Sequence, residues 1–260
     1  MTRVRTLLAS ALSTATLLTT SACLGAAEGA PHAPIVPASS AAPSAHASSA
    51  AGSALTDAQA HDALITDTDL GGSWVPTRGA ATWRDGLLKA KTSVAECRRL
   101  LDALYADEIL GAPARAVTGL DDTDADAQLR YQISAQSPAA VDSWLAWLST
   151  MPQKCARFTA TSTTGAVLDV QVSDEALPEV GDARQGLRVT VTAVTGPEGQ
   201  TLDGDPATLS LDVAAVRVGP DAFALTNGGM GDVPNDATQA AVQLGAQRLT
   251  EIRKQGRAQV

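Results

Sequence analysis

Few side chains in this chain are equipped for catalysis, and their spacing closes most routes to it. Three histidines occur, at His32, His46 and His61, and only His61 falls within a stretch able to pack. A Ser-His-Asp hydrolase needs a positioned imidazole, and the Gly-x-Ser-x-Gly elbow that presents its serine is absent. Beyond the N-terminal leader the lysines are Lys89, Lys91, Lys154 and Lys254, none of them in a Ser-x-x-Lys pattern. Neither a phosphate-cradling Gly-x-x-x-x-Gly-Lys loop nor a dinucleotide fingerprint appears. Asp121, Asp122, Asp124 and Asp126 concentrate four carboxylates in six positions, and oxygen-rich clusters of this kind suit calcium. The calcium-loop pattern nevertheless fails: no glycine stands sixth from Asp121 or Asp122, and the twelfth position is Gln132 or Ile133, not glutamate. A solvated acidic turn is the expectation there, as at the shorter Asp67-Thr68-Asp69. A carboxylate pair could run glycoside hydrolysis, but spacing along a chain does not give the separation in space that this chemistry requires. We therefore expect no catalytic residue, no metal and no cofactor.

The cysteines are Cys23, Cys97 and Cys155. Cys23 closes a leader of familiar order. Arg3 and Arg5 come first, an apolar stretch runs from Leu7 to Leu18, and small residues precede the cysteine. The stretch is shorter than the roughly 20 apolar residues that span a bilayer. Thr20-Ser21-Ala22-Cys23 resembles a bacterial lipobox, whose cysteine is acylated with palmitate-type chains and becomes the mature N-terminus. Thr20 stands where a bulky aliphatic residue is usual. Ordinary cleavage near Ala22 or Ala27, giving a freely secreted protein, is the alternative. Two acyl chains hold a protein stably at a membrane where one holds it only marginally. The expected organisation is a signal peptide over 1–22, lipidated Cys23 followed by an Ala/Ser/Pro spacer over 23–54, and one folded domain over 55–260. The spacer has no hydrophobic period with which to offset the entropy of ordering. With Cys23 modified, Cys97 and Cys155 form an even pair in an exported chain, which is the pattern of one disulfide.

Charge narrows the partners. The formal net charge is −9; without Arg3 and Arg5 the basic count falls from 19 to 17 against 28 acidic residues, a net near −11. Such a surface repels phosphates, and no Lys/Arg run exceeds two residues, so nucleic acid is not an expected partner. The partners expected are a membrane, through the lipid anchor, and an unknown small-molecule or envelope ligand.

Hydrophobic periodicity supplies the elements. Helices are expected from Thr56-Asp57 to about Ile65, over Thr92–Tyr105 with Val94, Cys97, Leu100, Leu101 and Leu104 on one face, from Ser137-Pro138 through Leu148, and from Asn235-Asp236 through Ile252. Strands are expected at 129–133, 158–163, 167–172, 187–194, 209–218 and 222–225, with a further one near 114–118. Short turns join most of them, Thr164-Gly165 and Gly219-Pro220-Asp221 among these. The fold class is therefore α+β: one domain, a largely antiparallel sheet, and helices packed on one side of it. The run Asn227-Gly228-Gly229-Met230-Gly231-Asp232 reads as a flexible turn between the last strand and last helix, and as a natural rim for a cleft. Trp144 reads as core; Trp147 edges the core or lines a pocket; Trp74 and Trp83 read as surface anchors. The candidate cleft rim is thus Trp147, Asn227, Gly228, Gly229 and Asp232.

Taken in order, several segments resemble the actinobacterial PknH-like extracellular sensor domains and their free-standing lipoprotein relatives. They are Leu64-Ile65 with Asp69-Leu70-Gly71-Gly72-Ser73-Trp74, Glu96-Cys97-Arg98-Arg99-Leu100-Leu101, Tyr131-Gln132-Ile133-Ser134, Ala140 to Leu148, Pro152-Gln153-Lys154-Cys155, Val180-Gly181-Asp182, and Val213 to Gly219. The likeness spans Thr56 to Ile252 and is one of pattern and order. It implies an antiparallel sheet with helices around a cleft for an unknown ligand, and no catalysis. Family members often carry two disulfides, whereas Cys97 and Cys155 allow one here. The expected function is a membrane-anchored extracytoplasmic lipoprotein with a non-catalytic, sensor-like ligand-binding domain. The alternatives are a lipid or glycolipid carrier, which needs a large apolar cavity, and a carboxylate-dependent hydrolase.

Overall fold

The computed structural model describes residues 54–258 apart from Ala112 and Asp203. The segments expected to be a signal peptide, a lipidated Cys23 and a spacer fall, up to residue 53, outside the described residues.

Period-two patterning produces a nine-stranded, wholly antiparallel sheet in the order β1-β3-β4-β9-β8-β7-β6-β5-β2. The long strands are β3 (Ala116–Asp122), β4 (Ala127–Ile133), β5 (Arg157–Ser162), β6 (Val167–Asp174), β7 (Ala183–Ala193), β8 (Thr208–Val218) and β9 (Asp221–Met230). Two short strands, β1 (Trp74–Pro76) and β2 (Ala90–Lys91), finish the edges by pairing with β3 and β5. The helices are α1 (Asp57–Asp62), α2 (Asp67–Leu70), α3 (Ala95–Ala106), α4 (Pro138–Leu148), α5 (Met151–Lys154) and α6 (Asp236–Ala258). Their starts follow the capping chemistry: Thr56 and Gln59 form a reciprocal box at α1, and the Ser137 hydroxyl accepts from Ala140 N ahead of Pro138 at α4.

The helices lie on both faces of the sheet rather than on one, each group covering a different half. β8 and β9 show the arrangement. Leu209, Leu211, Val213 and Ala215 point, with Ala222 and Ala224, into a core built with α3, α4 and β5–β7. Ala214, Val216, Phe223 and Leu225 point the other way, into a core built with α1, α6, β3 and β4. The near-continuous apolar run of β8 is therefore a strand buried on both faces.

Cys97 on α3 and Cys155 just after α5, separated by 58 in sequence number, form a disulfide, and both are almost wholly buried. Beside it the Arg99 guanidinium lies over two rings of α4, its carbon 4.2 Å from the Trp144 centroid and 4.3 Å from that of Trp147. The Trp147 indole N–H donates to Glu96 Oε2 at 2.7 Å. Both tryptophans are half-buried and clamp α4 to α3, so Trp144 is a bridge between helices more than a core residue.

On the other face Tyr131 and Phe223 stack with centroids 5.2 Å apart beneath α6. The Tyr131 hydroxyl has no hydrogen-bond partner among the described residues, and burial pushes its pKa far above the ordinary phenol range. An unpaired buried hydroxyl costs free energy that its removal restores. Tyr131→Phe should leave stability unchanged or raise it by about 1 kcal/mol in urea unfolding; a loss of that size would mean the hydroxyl has a partner.

Candidate functional site

A cleft of about 370 Å³ opens where α2, β1, the β3–β4 turn, the end of β9 and the start of α6 converge. Each wall has a local cause. At the start of α2 the Thr66 N–H and hydroxyl both donate to Asp69 Oδ2 at 2.6 Å, and past its end Gly71, at φ 67°, turns the chain into β1. Both carboxylate oxygens of Asp69 accept from Arg248 Nη2 at 2.6 Å, which fixes α2 to α6. β1 then pairs with β3 so that Trp74 stands opposite Asp122.

Asp122 organises the β3–β4 turn. Its Oδ1 accepts from the Ser73 hydroxyl and from the backbone N–H groups of Asp124 at 3.0 Å and Ala125 at 3.4 Å. Burial alone would raise its pKa; the hydrogen bonds from Ser73, Asp124 and Ala125 outweigh burial and hold the carboxyl below the usual range. The acidic run read from the sequence is thus the end of β3 and a tight turn stitched by Asp122.

The opposite wall is tied down by Arg188 on β7. Its guanidinium donates to Asp212 Oδ1 at 3.0 Å, to Asp232 Oδ1 at 2.8 Å and to the Val233 carbonyl at 3.0 Å, so the β9–α6 connection is held against the sheet. Asn235 adds a bond of 2.6 Å to Glu175. At the floor Asn227, 1% exposed, faces Leu129 on one neighbouring strand and Asp212 on the other. The Thr238 hydroxyl donates to Asp212 Oδ2 at 2.8 Å and therefore accepts from Asn227 Nδ2 at 3.3 Å. That chain fixes the amide orientation and leaves Asn227 Oδ1 as a buried acceptor with no partner among the described residues. The remaining lining is Leu70, Trp74, Val233, Pro234 and Asp236, with small residues such as Ala240 leaving room.

Of the five rim residues named from the sequence, Asn227 lines this cleft. Gly228 and Gly229 belong to β9 and not to a flexible turn, because the ladder with β8 and β4 continues through them. A Cβ on Gly229 would stand 2.6 Å from the Asp126 carbonyl oxygen, and one on Gly228 would run into the Ser210 carbonyl. These glycines let strands approach closely. Asp232 is exposed and spends its carboxylate on Arg188. Trp147 belongs to the α3–α4 clamp on the opposite face. Trp74, read as a surface anchor, is a cleft wall. Asp122, read from the sequence as part of a solvated acidic turn, is a cleft wall; Thr238 and Asp212 were not singled out, and nothing in their local sequence marks them.

Asp212 also sets a pH dependence. Burial raises its carboxyl pKa from 3.8, against the downward pull of Thr238 and Arg188 and with a further push from Glu175. A raised carboxyl pKa means the folded state binds a proton before the unfolded chain does. Ionised Asp212 therefore costs stability near neutrality, and that cost is relieved as pH falls through its folded pKa toward 3.8. Urea unfolding across a pH series should show native stability gaining on that of Asp212→Asn over this window. A difference that stays flat, or tilts the other way, would contradict a raised pKa.

Among the described residues no group of three or more His, Cys, Asp or Glu side chains could hold a metal ion. No helix among them is long and apolar enough to cross a membrane.

Fold and cleft together define an antiparallel α+β domain with a small-molecule-sized recess at one end of its sheet. The likeness to solved structures is loose. The extracellular domain of PknH from Mycobacterium tuberculosis superposes with a TM-score of 0.43 at 14% sequence identity, covering 77% of this chain and 97% of that one. This is a likeness of fold in outline, from which no site residue or activity is carried over. No protein-family model matches the chain, and no curated protein does.

Proposed function

We propose that this protein is an exported lipoprotein, held on the outer face of a membrane through Cys23, whose domain binds a small ligand and performs no chemistry of its own. The observation that carries the binding reading is the cleft with Asn227 at its floor. A buried amide oxygen without a donor costs about 1–3 kcal/mol, and a ligand donor is one way to recover it. The volume of about 370 Å³ lies in the range of small-molecule sites. Asp122 is bound to Ser73 and backbone amides with its pKa depressed, the opposite of what a general acid needs.

Export is supported by the order of the leader and by the Cys97–Cys155 disulfide, a bond that persists in oxidising compartments. Both sheet faces are filled by side-chain cores, which favours a small ligand over a lipid cargo.

Ala240 is exposed on α6 and lines the cleft, so Ala240→Trp fills it at little cost to folding. Native mass spectrometry of the protein released from its own membranes should show a small-molecule adduct that this variant loses. An adduct of lipid mass retained by the variant would instead favour a carrier.

A further inference from the structure

The cleft has a chemical bias that narrows its ligand. We propose that it takes a small organic cation, an alkylammonium or similar amine carrying N–H donors. This rests on the reading of the cleft as a ligand site.

Charge is the first ground. The titratable side chains of the lining are Asp122 and Asp236, and no lysine, arginine or histidine is among them. α6 begins here, and a helix N-terminus offers about half a positive charge. Two carboxylates outweigh that half charge, so the cleft is net negative and an anion is disfavoured. The chain's excess of 28 acidic over 19 basic residues adds a long-range field of the same sign.

Hydrogen bonding is the second ground, and it is independent of charge. Asn227 Oδ1 is buried at the floor without a partner, and its orientation is locked by Thr238. The oxygen is closed to solvent, so a ligand reaches it only where the floor yields, and because it can only accept, the group that reaches it must donate. Asp122 and Asp236 likewise offer acceptors. Each of these acceptors calls for a donor, which an N–H-bearing ligand supplies and a carboxylate or an ether does not.

Shape and polarity are the third. Trp74 gives an aromatic surface, and Leu70, Val233 and Pro234 give apolar walls. A cation over an indole face gains electrostatically from the ring, while the walls suit the carbon chain behind it. A bare divalent ion has no use for such walls, and two carboxylates with one amide oxygen fall short of the six to eight oxygens calcium takes.

The test uses the purified protein, isotope-labelled for NMR, titrated at constant ionic strength with n-butylammonium, n-butanol, butyrate and calcium chloride. The expected result is saturable shifts of the Trp74 indole N–H and the amides of Asp236–Ala240 with n-butylammonium alone. Asp236 is exposed, so Asp236→Asn should fold normally and weaken that affinity about three- to tenfold. Equal shifts with n-butanol, or shifts with butyrate or calcium in place of the amine, would overturn the cation assignment while leaving the cleft a ligand site. Unchanged affinity in Asp236→Asn would do the same. No shift with any of the four would remove both.

Discussion

Replacing Cys97 and Cys155 together by serine should lower the folding free energy by about 4 kcal/mol, the loop-entropy value for a bridge closing some 58 residues. The loss falls on a particular joint. Cys97 lies on the apolar face of α3 with Leu100, Leu101 and Leu104, and Cys155 follows α5 at the entrance to β5. Between them the chain runs through β3, β4 and α4, so the bridge fastens α3 to the far half of the sheet across a long excursion. Both cysteines are buried in the core that α3, α4 and β5–β8 share, where a hydroxyl is costlier than sulfur, and the Lys154 carbonyl, 3.7 Å from Cys97 Sγ, is an acceptor within reach of a serine at 97. Urea unfolding with and without reductant, alongside the double variant, measures the effect. A loss below about 1 kcal/mol would mean that the reduced chain keeps α3 in place without the bond.

Arg84→Met should cost about 3–5 kcal/mol, the range for removing one partner of a buried ion pair. Arg84 sits in the π-helical turn Arg84–Leu88 with its side chain 6% exposed. Its guanidinium donates to the carbonyls of Leu104 at 3.0 Å and Tyr105 at 3.2 Å, and to Asp107 Oδ1 at 2.7 Å. It thereby satisfies the carbonyls that α3 leaves open at its C-terminus, where Asp107 takes a left-handed conformation, and brings positive charge to the helix's negative pole. Arg130 does not replace it. Its Nε lies 2.7 Å from Asp107 Oδ2 but is not aligned to donate, so it gives an ionic contact without a hydrogen bond. Methionine would fill the volume and leave two carbonyls and half of Asp107 unpaired. Arg84→Lys, which keeps the charge but not the fork, should fall between the two. Because Arg84 and the disulfide both anchor α3, their effects should not add. A cycle of the three variants that gave strict additivity would argue that α3 is held at its two ends independently.

The antiparallel α+β architecture was legible because its longest elements carry clean periods. Leu187, Val189 and Val191 alternate with Arg188, Thr190 and Thr192, and β7 does run through them. Val242, Leu249 and Ile252 recur at helical spacing, and α6 follows. The second covered face was also written in the chain, as the apolar run of β8, but a short apolar run reads equally as a one-sided strand with small residues between. The continuation of β9 through Asn227, Gly228 and Gly229 was not legible. Glycine disfavours strands, and what demands it here is the approach of carbonyls from Ser210 and Asp126, distant or across a turn in sequence. β1 and β2 are too short to show a period and exist because β3 and β5 offer them edges.

The cleft was legible only at Asn227. Its other walls come from five separate elements, and sequence spacing says nothing about their convergence. Thr238 and Asp212 matter because they meet Asn227 across α6, β8 and β9, a junction set by register. Arg84 looks like any surface arginine in Trp83-Arg84-Asp85-Gly86; its burial follows from where α3 ends.

Export and anchoring at Cys23 are tested most directly by one intact-mass measurement on the protein from fractionated cells of its source. The expected species is membrane-bound, begins at Cys23, carries acyl chains, and is lighter by the hydrogens lost to the Cys97–Cys155 bond. A cytosolic species beginning at Met1, unacylated and with its thiols free, would contradict the account.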